Sequence, residues 1–220
     1  MRAQQRLQRT LIFPSLLVIL TACGSETPPS GTSNTGDASG ALPMQGIYGQ
    51  SPAASGGVPS VIMLSAAGAP PETEATASSL TIDQFGLTFS PRYLLADEGA
   101  SITFTNSESD LSHNVRLRAF GDTLDVIDAD ANPGEQLVVQ LWAAGGYDVI
   151  CDMHPGMTAF IFISEATHSV FAQTDGSFAL DSVPAGTYTL QLWTAEDGFR
   201  APRSVEVGPG RTSINLAMSG

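Results

Sequence analysis

Residues 147–157 read YDVICDMHPGM and hold the chemistry on which the fold prediction depends. Apolar residues alternate up to Cys151, which predicts a β-strand whose thiol points to the same face as neighbouring core residues. His154 follows three residues after this cysteine, and Met157 follows three residues after the histidine. The stretch therefore predicts a strand that ends in a turn carrying a thiol, an imidazole and a thioether.

These three side-chain types suit a copper ion, which combines a soft thiolate, imidazoles and a weak axial thioether. His113 begins an upstream candidate strand and is the histidine best placed to supply a second imidazole, if closure of a sandwich brings it beside Cys151. Each residue also has a structural alternative: a small buried thiol, Met157 as core filler, and His154 as the cap of a turn shaped by Pro155. Their combination at this spacing favours the metal site.

The first residues have the features of an export signal. In residues 1–22, three arginines precede a proline-interrupted apolar run at 11–20 that is too short to span a membrane. The sequence LTAC, which ends at Cys23, resembles the lipobox of bacterial lipoproteins, in which the cysteine is acylated and becomes the new N-terminus. An ordinary secretory signal is the alternative. Residues 23–43 are rich in Gly, Ser, Thr and Pro, which predicts a flexible tether.

By this resemblance, Gly24 after Cys23 favours the outer membrane over the inner one. We therefore predict an exported protein with a lipid anchor, on the periplasmic side of the outer membrane or at the cell surface. With Cys23 lipidated, Cys151 has no partner for a disulfide, although the exported compartment permits one.

The chain is strongly acidic. Its formal net charge is −13, and loss of the three signal-peptide arginines would make it −16. Such a charge argues against nucleic-acid binding, which needs Lys and Arg to neutralise phosphates. It favours solubility or the attraction of a basic partner.

From Ile47 onward, short β-branched and aromatic runs alternate with Gly, Pro, Asp and Asn, which indicates an all-β sandwich. We assign residues 44–166 to a first domain with candidate strands at 47–50, 58–64, 80–84, 88–89, 101–106, 113–119, 136–142, 146–151 and 158–164. The acidic stretch 122–135 is interpreted as a solvated loop that could dock a basic partner. It also has part of the pattern of a calcium loop, but lacks the turn glycine and the final acid.

Residues 167–220 are assigned to a second, smaller β-sandwich. Its candidate strands are 170–174, 177–180, 189–193, 203–207 and 213–218, with a tight Asp-Gly turn at 175–176. The motif DGSFALDSVPAGTYTLQLW resembles the carboxypeptidase regulatory-like (transthyretin-like) domain, which has a carbohydrate-binding-like fold. This resemblance makes Trp193 and Phe199 conceivable sugar-stacking residues; packing against the first domain is the favoured alternative.

Residues 80–164 resemble the cupredoxin (blue copper) family through several motifs in order. IDQFGLTFSPRYLLADEGASITFTN is similar to the first strands of that family, HNV at 113–115 to its first ligand, and YDVICDMHPGM to its ligand loop. The Cys-x2-His-x2-Met spacing is the short form seen in amicyanin. Together with the second domain, the chain resembles plastocyanin-like methylamine utilisation proteins. The implied fold is a cupredoxin Greek-key β-sandwich.

The resemblance implies one type 1 copper. Its ligands would be His113, Cys151, His154 and Met157. The backbone amide of Asn114 would donate a hydrogen bond to the cysteine sulfur. Pro155, which lacks an N–H, would stiffen the turn, and the outward edge of the His154 ring would pass electrons. Met153, between the cysteine and the histidine, should point away from the metal.

The implied function is single-electron transfer with a redox partner protein such as a dehydrogenase, a cytochrome or an oxidase. His168 is the one remaining histidine, so the chain has too few imidazoles for a second, catalytic copper site, and we do not expect an enzyme. We interpret His168 as structural. Two alternatives stay open: a copper storage or delivery protein, and a surface carbohydrate-binding or adhesion module with a vestigial site.

Overall fold

The computed structural model describes residues 45–67 and 80–217, and these contain strands, turns and loops but no helix. The predicted all-β class is therefore confirmed. None of the described residues belongs to a helix long and apolar enough to cross a membrane. The predicted signal peptide, the tether and Cys23 lie outside the described residues, so they stay predictions.

The described strands follow one another along the chain as β1 (Gly46–Gln50), β2 (Val61–Ala66), β3 (Leu80–Phe85), β4 (Thr88–Ser90), β5 (Tyr93–Asp97), β6 (Ser101–Asn106), β7 (His113–Ala119), β8 (Asp125–Ala131), β9 (Gln136–Gln140), β10 (Gly145–Ile150), β11 (Thr158–Ser164), β12 (His168–Phe171), β13 (Ser177–Asp181), β14 (Gly186–Thr194), β15 (Gly198–Phe199), β16 (Arg203–Val207) and β17 (Arg211–Asn215). The sequence pattern missed β5, β8 and β15.

Strands β3 to β11 form a sandwich of two sheets, which we call the inserted sandwich. One sheet has the order β5-β11-β10-β7-β8 and the other the order β4-β3-β6-β9. Their facing side chains form one buried cluster that includes Phe104, Leu117 and Val149. Cys151 and Met157 are part of the same cluster. The loop 151–157 thus follows the end of β10, where the strand leaves an apolar core.

The remaining strands form a second sandwich, which we call the host sandwich. Its sheets have the orders β13-β1-β17 and β12-β2-β14-β15, and β16 also pairs with β14. The predicted first domain includes residues 44–66, but β1 lies between β13 and β17, and β2 lies between β12 and β14. The reason is burial: Ile47, Ile62 and Leu64 complete the core of the host sandwich. The inserted sandwich therefore interrupts the host sandwich between β2 and β12.

Strand β11 is buried on both faces because it lies between the two sandwiches. Ile161 and Ile163 face the core of the inserted sandwich, whereas Phe160 and Phe162 face a separate cluster with Met63 and Trp193. Strand β2 alternates in the same way between this cluster and the host core. A strand covered on both sides reads as a continuous apolar run, which explains the sequence TAFIFIS of β11.

The acidic stretch 122–135 is not only the predicted loop, because it contains strand β8. Asp128 and Asp130 are exposed, while the alternate residues between Asp125 and Ala131 are more buried. Across the strand pair, Arg118 on β7 forms an ion pair of 3.0 Å with Asp125. The aspartates suppress the usual strand composition, but period-two burial and pairing with β7 outweigh this low propensity.

Candidate metal centre

Three side chains that can bind a metal converge at one end of the inserted sandwich. The Nδ1 atoms of His113 and His154 are 3.0 Å apart. The Sγ atom of Cys151 is 3.8 Å from Nδ1 of His113 and 3.5 Å from Nδ1 of His154. These donor atoms all lie within 4.8 Å of one another. Residues separated by about forty positions in the sequence are thus brought to one point by the pairing of β7 with β10.

The loop between β10 and β11 is held by its own backbone. The N–H of Cys151 donates to the carbonyl of Met157 at 3.0 Å, and the N–H of Met157 donates to the carbonyl of His154 at 3.1 Å. Gly156 has a φ of +89°, a conformation that side chains other than glycine rarely adopt. Pro155 is exposed beside it. These bonds shape a tight loop that turns the thiol and the imidazole toward the same point.

His113 is fully buried, and this burial favours its metal-binding form. Burial lowers its pKa, and the nearby His154 lowers it further, while the charge of Glu108 acts in the opposite direction. A neutral imidazole has a free lone pair for a metal, whereas an imidazolium does not. The environment therefore keeps His113 ready to act as a ligand near neutral pH.

The two methionines of the loop have opposite surroundings. Met157 is buried in the core cluster that contains Cys151, and its backbone closes the loop. Met153 is 46 % exposed and lies outside that cluster. His154 is partly exposed, in contrast to the other two converging residues. The thioether of Met157 is thus the one on the buried side of the loop, and His154 is the member of the group that reaches the surface.

Asn114 connects the ligand loop to the strand of the first histidine. Its Oδ1 accepts a 2.7 Å hydrogen bond from the backbone N–H of Asp152, the residue after Cys151. Its Nδ2 donates to Asp128 at 3.1 Å and to the carboxylate of Asp152 at 3.3 Å. The resemblance implied a role for the backbone amide of Asn114 toward the sulfur; that bond stays a prediction, and the contacts that the structure shows are made by the side chain.

The donor set fits a copper ion. A thiolate and two imidazoles with a thioether nearby form the combination expected at a blue-copper site. Two imidazole nitrogens only 3.0 Å apart must share a proton or direct both lone pairs at a common cation. Apolar core side chains surround Cys151 on its inner side and limit access of water. The residues are therefore suited to hold one soft or borderline metal.

His168 lies on β12 and is not part of this group. Its ring is 6.2 Å from the ring of Tyr188, and it lines a cavity at the junction of the two sandwiches together with Asp97 and Asp181. Burial lowers the pKa of His168. This position agrees with the structural interpretation.

The lowered pKa of His168 predicts a pH-dependent stability. The folded chain resists protonation of this ring, whereas the unfolded chain protonates near the ordinary pKa of 6.5. The neutral His168 ring therefore contributes fully to the free energy of unfolding above pH 6.5. This contribution is lost as the pH falls from 6.5 toward the lowered pKa of the folded chain, by at most about 1.4 kcal/mol per pH unit. We expect the free energy of unfolding, measured in urea on metal-free protein, to fall less between about pH 7.5 and about pH 5 for His168→Gln than for the unchanged chain. Equal losses would contradict this role.

The two aromatic residues that the resemblance suggested for sugar stacking differ in exposure. Trp193 is 4 % exposed and packs against Phe160 and Phe162 in the cluster between the sandwiches, so it has no free face for a sugar. Phe199 is 43 % exposed. The favoured interpretation, packing of the second unit against the first, is what the structure shows for Trp193.

Sequence reasoning missed Asp152 and Arg116. Arg116 on β7 forms an ion pair of 2.9 Å with Asp152, directly after the cysteine. In the sequence, the aspartate was only a spacer within the Cys-x2-His motif. The available signal was the period-two position of Arg116, which shares the outer face of β7 with Asn114.

Comparison with known families finds a copper-binding family that matches part of the chain. Residues 76–164 match the family model described as copper binding proteins, plastocyanin/azurin family. The match includes all four expected ligands and covers about two fifths of the chain. Comparison with curated proteins finds no significant match.

Several solved structures resemble part of the chain at low sequence identity. A Cu-containing nitrite reductase from Thermus scotoductus SA-01 is 22% identical with a TM-score of 0.36, and the match covers 40% of this chain and 22% of that chain. A purple cupredoxin from Nitrosopumilus maritimus is 22% identical with a TM-score of 0.35, covering 39% of this chain and 100% of that chain. A reduced Cu(I) amicyanin variant is 21% identical with a TM-score of 0.37, covering 41% and 87%.

The three converging donors and Met157 all lie inside the segment that matches the family model. The match to the plastocyanin/azurin family of copper-binding proteins, at residues 76–164, thus covers all the strands of the inserted sandwich, β3 to β11.

Proposed function

We propose that this protein holds one type 1 copper through His113, Cys151, His154 and Met157, and that it carries single electrons. The observation that carries the proposal is the convergence of one thiol and two imidazole Nδ1 atoms within 4.8 Å at the buried end of the inserted sandwich. Copper bound there would supply one-electron redox chemistry between Cu(II) and Cu(I).

The residues around the donors support electron transfer by holding them in place. Backbone hydrogen bonds fix the loop at Cys151 and Met157, and Asn114 fixes Asp152. Donors held in this way have one preferred arrangement, so a change of metal charge needs little movement of the protein. His113 is buried, and His154 reaches the surface, which makes the His154 ring the proposed route for electrons.

We test the proposal by titrating the full chain with Cu(II). One equivalent should produce an intense visible thiolate-to-copper charge-transfer band, and voltammetry should show a reversible one-electron couple. A colourless copper complex would overturn the type 1 assignment. Retention of Cu(I) against a chelator supports electron transfer, whereas ready loss of Cu(I) would instead support storage or delivery of copper.

The partner in this proposal is a redox protein with a basic surface. The exposed carboxylates of Asp128 and Asp130 lie on β8, and β8 pairs with β7, the strand of His113. Their charge would favour approach of a cationic partner and would be screened by salt. Reduction of a cationic cobalt(III) complex should therefore slow with rising ionic strength, whereas reduction of ferricyanide should accelerate. The same salt dependence for both reagents would contradict a basic partner.

The anchor is also a proposal, supported by the LTAC sequence that ends at Cys23. Lipidation would place the electron carrier at a membrane surface outside the cytoplasm. The intact mass of protein purified from a bacterial membrane should correspond to a chain that begins at an acylated Cys23. An unmodified mass, or a chain that begins elsewhere, would contradict the anchor.

A further inference from the structure

The residue after the cysteine ligand is tied to β7 by three contacts. The N–H of Asp152 donates to Oδ1 of Asn114 at 2.7 Å, and Nδ2 of Asn114 donates to Oδ2 of Asp152 at 3.3 Å. The other carboxylate oxygen, Oδ1, forms an ion pair with Nη2 of Arg116 at 2.9 Å. Both oxygens of one loop residue are therefore engaged by the same strand.

This strand also supplies the first histidine. His113 begins β7 and faces the core, whereas Asn114 and Arg116 alternate with it and lie on the other face. Asp152 lies between Cys151 and His154 in the sequence. The outer face of β7 thus binds the segment between Cys151 and His154, while its inner face carries His113.

The ion pair is better suited to orientation than to stabilisation. The side chains of Arg116 and Asp152 are 26% and 43% exposed, and partly exposed pairs of this kind contribute little to folding stability. The guanidinium has one further, longer ion-pair contact, because Nε of Arg116 lies 4.0 Å from Asp125, but this Nε makes no hydrogen bond within the described part of the chain. The short contact is therefore the 2.9 Å pair of Nη2 with Asp152, and the planar guanidinium gives that pair a defined direction.

We propose that Arg116 is a positioning residue of the metal site. Its ion pair with Asp152 holds the loop segment after Cys151 against β7, and this keeps the Cys151 and His154 donors converged on His113. The inference rests on the proposed copper site. Arg116 would act on the site without binding the metal itself.

The test compares Arg116→Met with Arg118→Met in the full chain. The two arginines lie on the same strand, have side-chain exposures of 26% and 25%, and form ion pairs of 2.9 Å and 3.0 Å. Only the first pair reaches the ligand loop, because the partner of Arg118 is on β8. Methionine keeps an unbranched stem and removes the guanidinium. The probe is Cu(II) alone, with the dissociation constant measured by competition and the ligand geometry by electron paramagnetic resonance.

Arg116→Met should weaken Cu(II) binding about tenfold or more and change the copper hyperfine splitting, as expected for loss of an outer-shell contact. Arg118→Met should stay within about twofold of the unchanged chain and keep its spectrum. Equal effects of the two substitutions, on both affinity and spectrum, would overturn the proposal.

Asp152→Asn provides the second variant, which keeps a side-chain oxygen for Arg116 and removes the charge. It should weaken Cu(II) binding, and adding Arg116→Met to it should cost less than Arg116→Met costs in the unchanged chain, because the two residues act as one contact. Fully additive effects would contradict the pair, even if one single variant folds poorly. Failure of the proposed function has a different signature: the unchanged chain would then give a colourless copper complex.

Discussion

Replacement of Cys151 by serine is expected to abolish the intense visible band of the copper-loaded chain. The band arises from charge transfer between a thiolate and Cu(II), and Cys151 supplies the sulfur that lies 3.5 Å and 3.8 Å from the two imidazole nitrogens. A serine hydroxyl is a harder and less acidic ligand, so Cys151→Ser should bind copper more weakly through His113 and His154 and give no strong colour. Absorption spectroscopy during Cu(II) titration measures the change.

The chain offers a matched control because it contains just one other cysteine. Cys23→Ser removes the predicted acylation site, which lies outside the inserted sandwich, and should leave the band unchanged. Loss of colour in Cys23→Ser, or its retention in Cys151→Ser, would contradict the assignment of the thiolate. Far-UV circular dichroism should show that Cys151→Ser still folds, since a buried hydroxyl without a good partner costs about 1–3 kcal/mol.

Trp193→Ala is expected to lower the free energy of unfolding by about 3–5 kcal/mol, the range for truncation of a large buried aromatic side chain. The indole is 4 % exposed, and its ring centre lies 5.3 to 5.4 Å from those of Phe120, Phe160 and Phe162. A Cβ atom on Gly146 would approach within 2.5 Å of Phe160 and 3.0 Å of Trp193, so the rings also fill the space that this glycine leaves. The loss would leave a cavity between the two sandwiches.

The only other tryptophan provides the comparison. Trp142 is 62 % exposed and lies over Gly99, so Trp142→Ala should change the free energy of unfolding by about 0.5 kcal/mol. Urea unfolding followed by circular dichroism suits both variants, because it does not depend on tryptophan fluorescence. Similar losses for the two variants would show that the cluster between the sandwiches does not join them energetically.

Much of the strand content followed from local pattern. The alternating residues before Cys151 and the continuous apolar run of β11 predicted strands at nearly the observed bounds. The Asp-Gly turn before β13 and the apolar alternation of β6 also predicted strands at nearly the observed bounds. In these segments, burial on one or both faces agrees with β propensity, so the local signal was sufficient.

The acidic strand β8 was not predictable in this way. Asp125, Asp128 and Asp130 have low strand propensity, and the strand forms because it pairs with β7, whose Arg116 and Arg118 lie close to Asp125. Short β5 is likewise held by its parallel pairing with β11, a partner more than sixty residues away. Such strands depend on contacts that no local window contains.

The candidate metal site was also predictable from the sequence only in part. The residue types and spacing of Cys151, His154 and Met157 could be read from the chain, because one loop carries all three. The distance of His113 from them depends on the pairing of β7 with β10. Asp152 and Arg116 carried no recognisable motif, since an ion pair across two strands leaves no spacing signal.

The sequence by itself determined the all-β class and the chemistry of the ligand loop, because side-chain period and ligand spacing are local properties of the chain. Only the tertiary structure decided that β1 and β2 belong to the host sandwich and that β3 to β11 interrupt it. The reason is that a strand joins the sheet whose core its apolar face completes. For Ile47, Ile62 and Leu64, that core is formed by strands more than a hundred residues later in the chain.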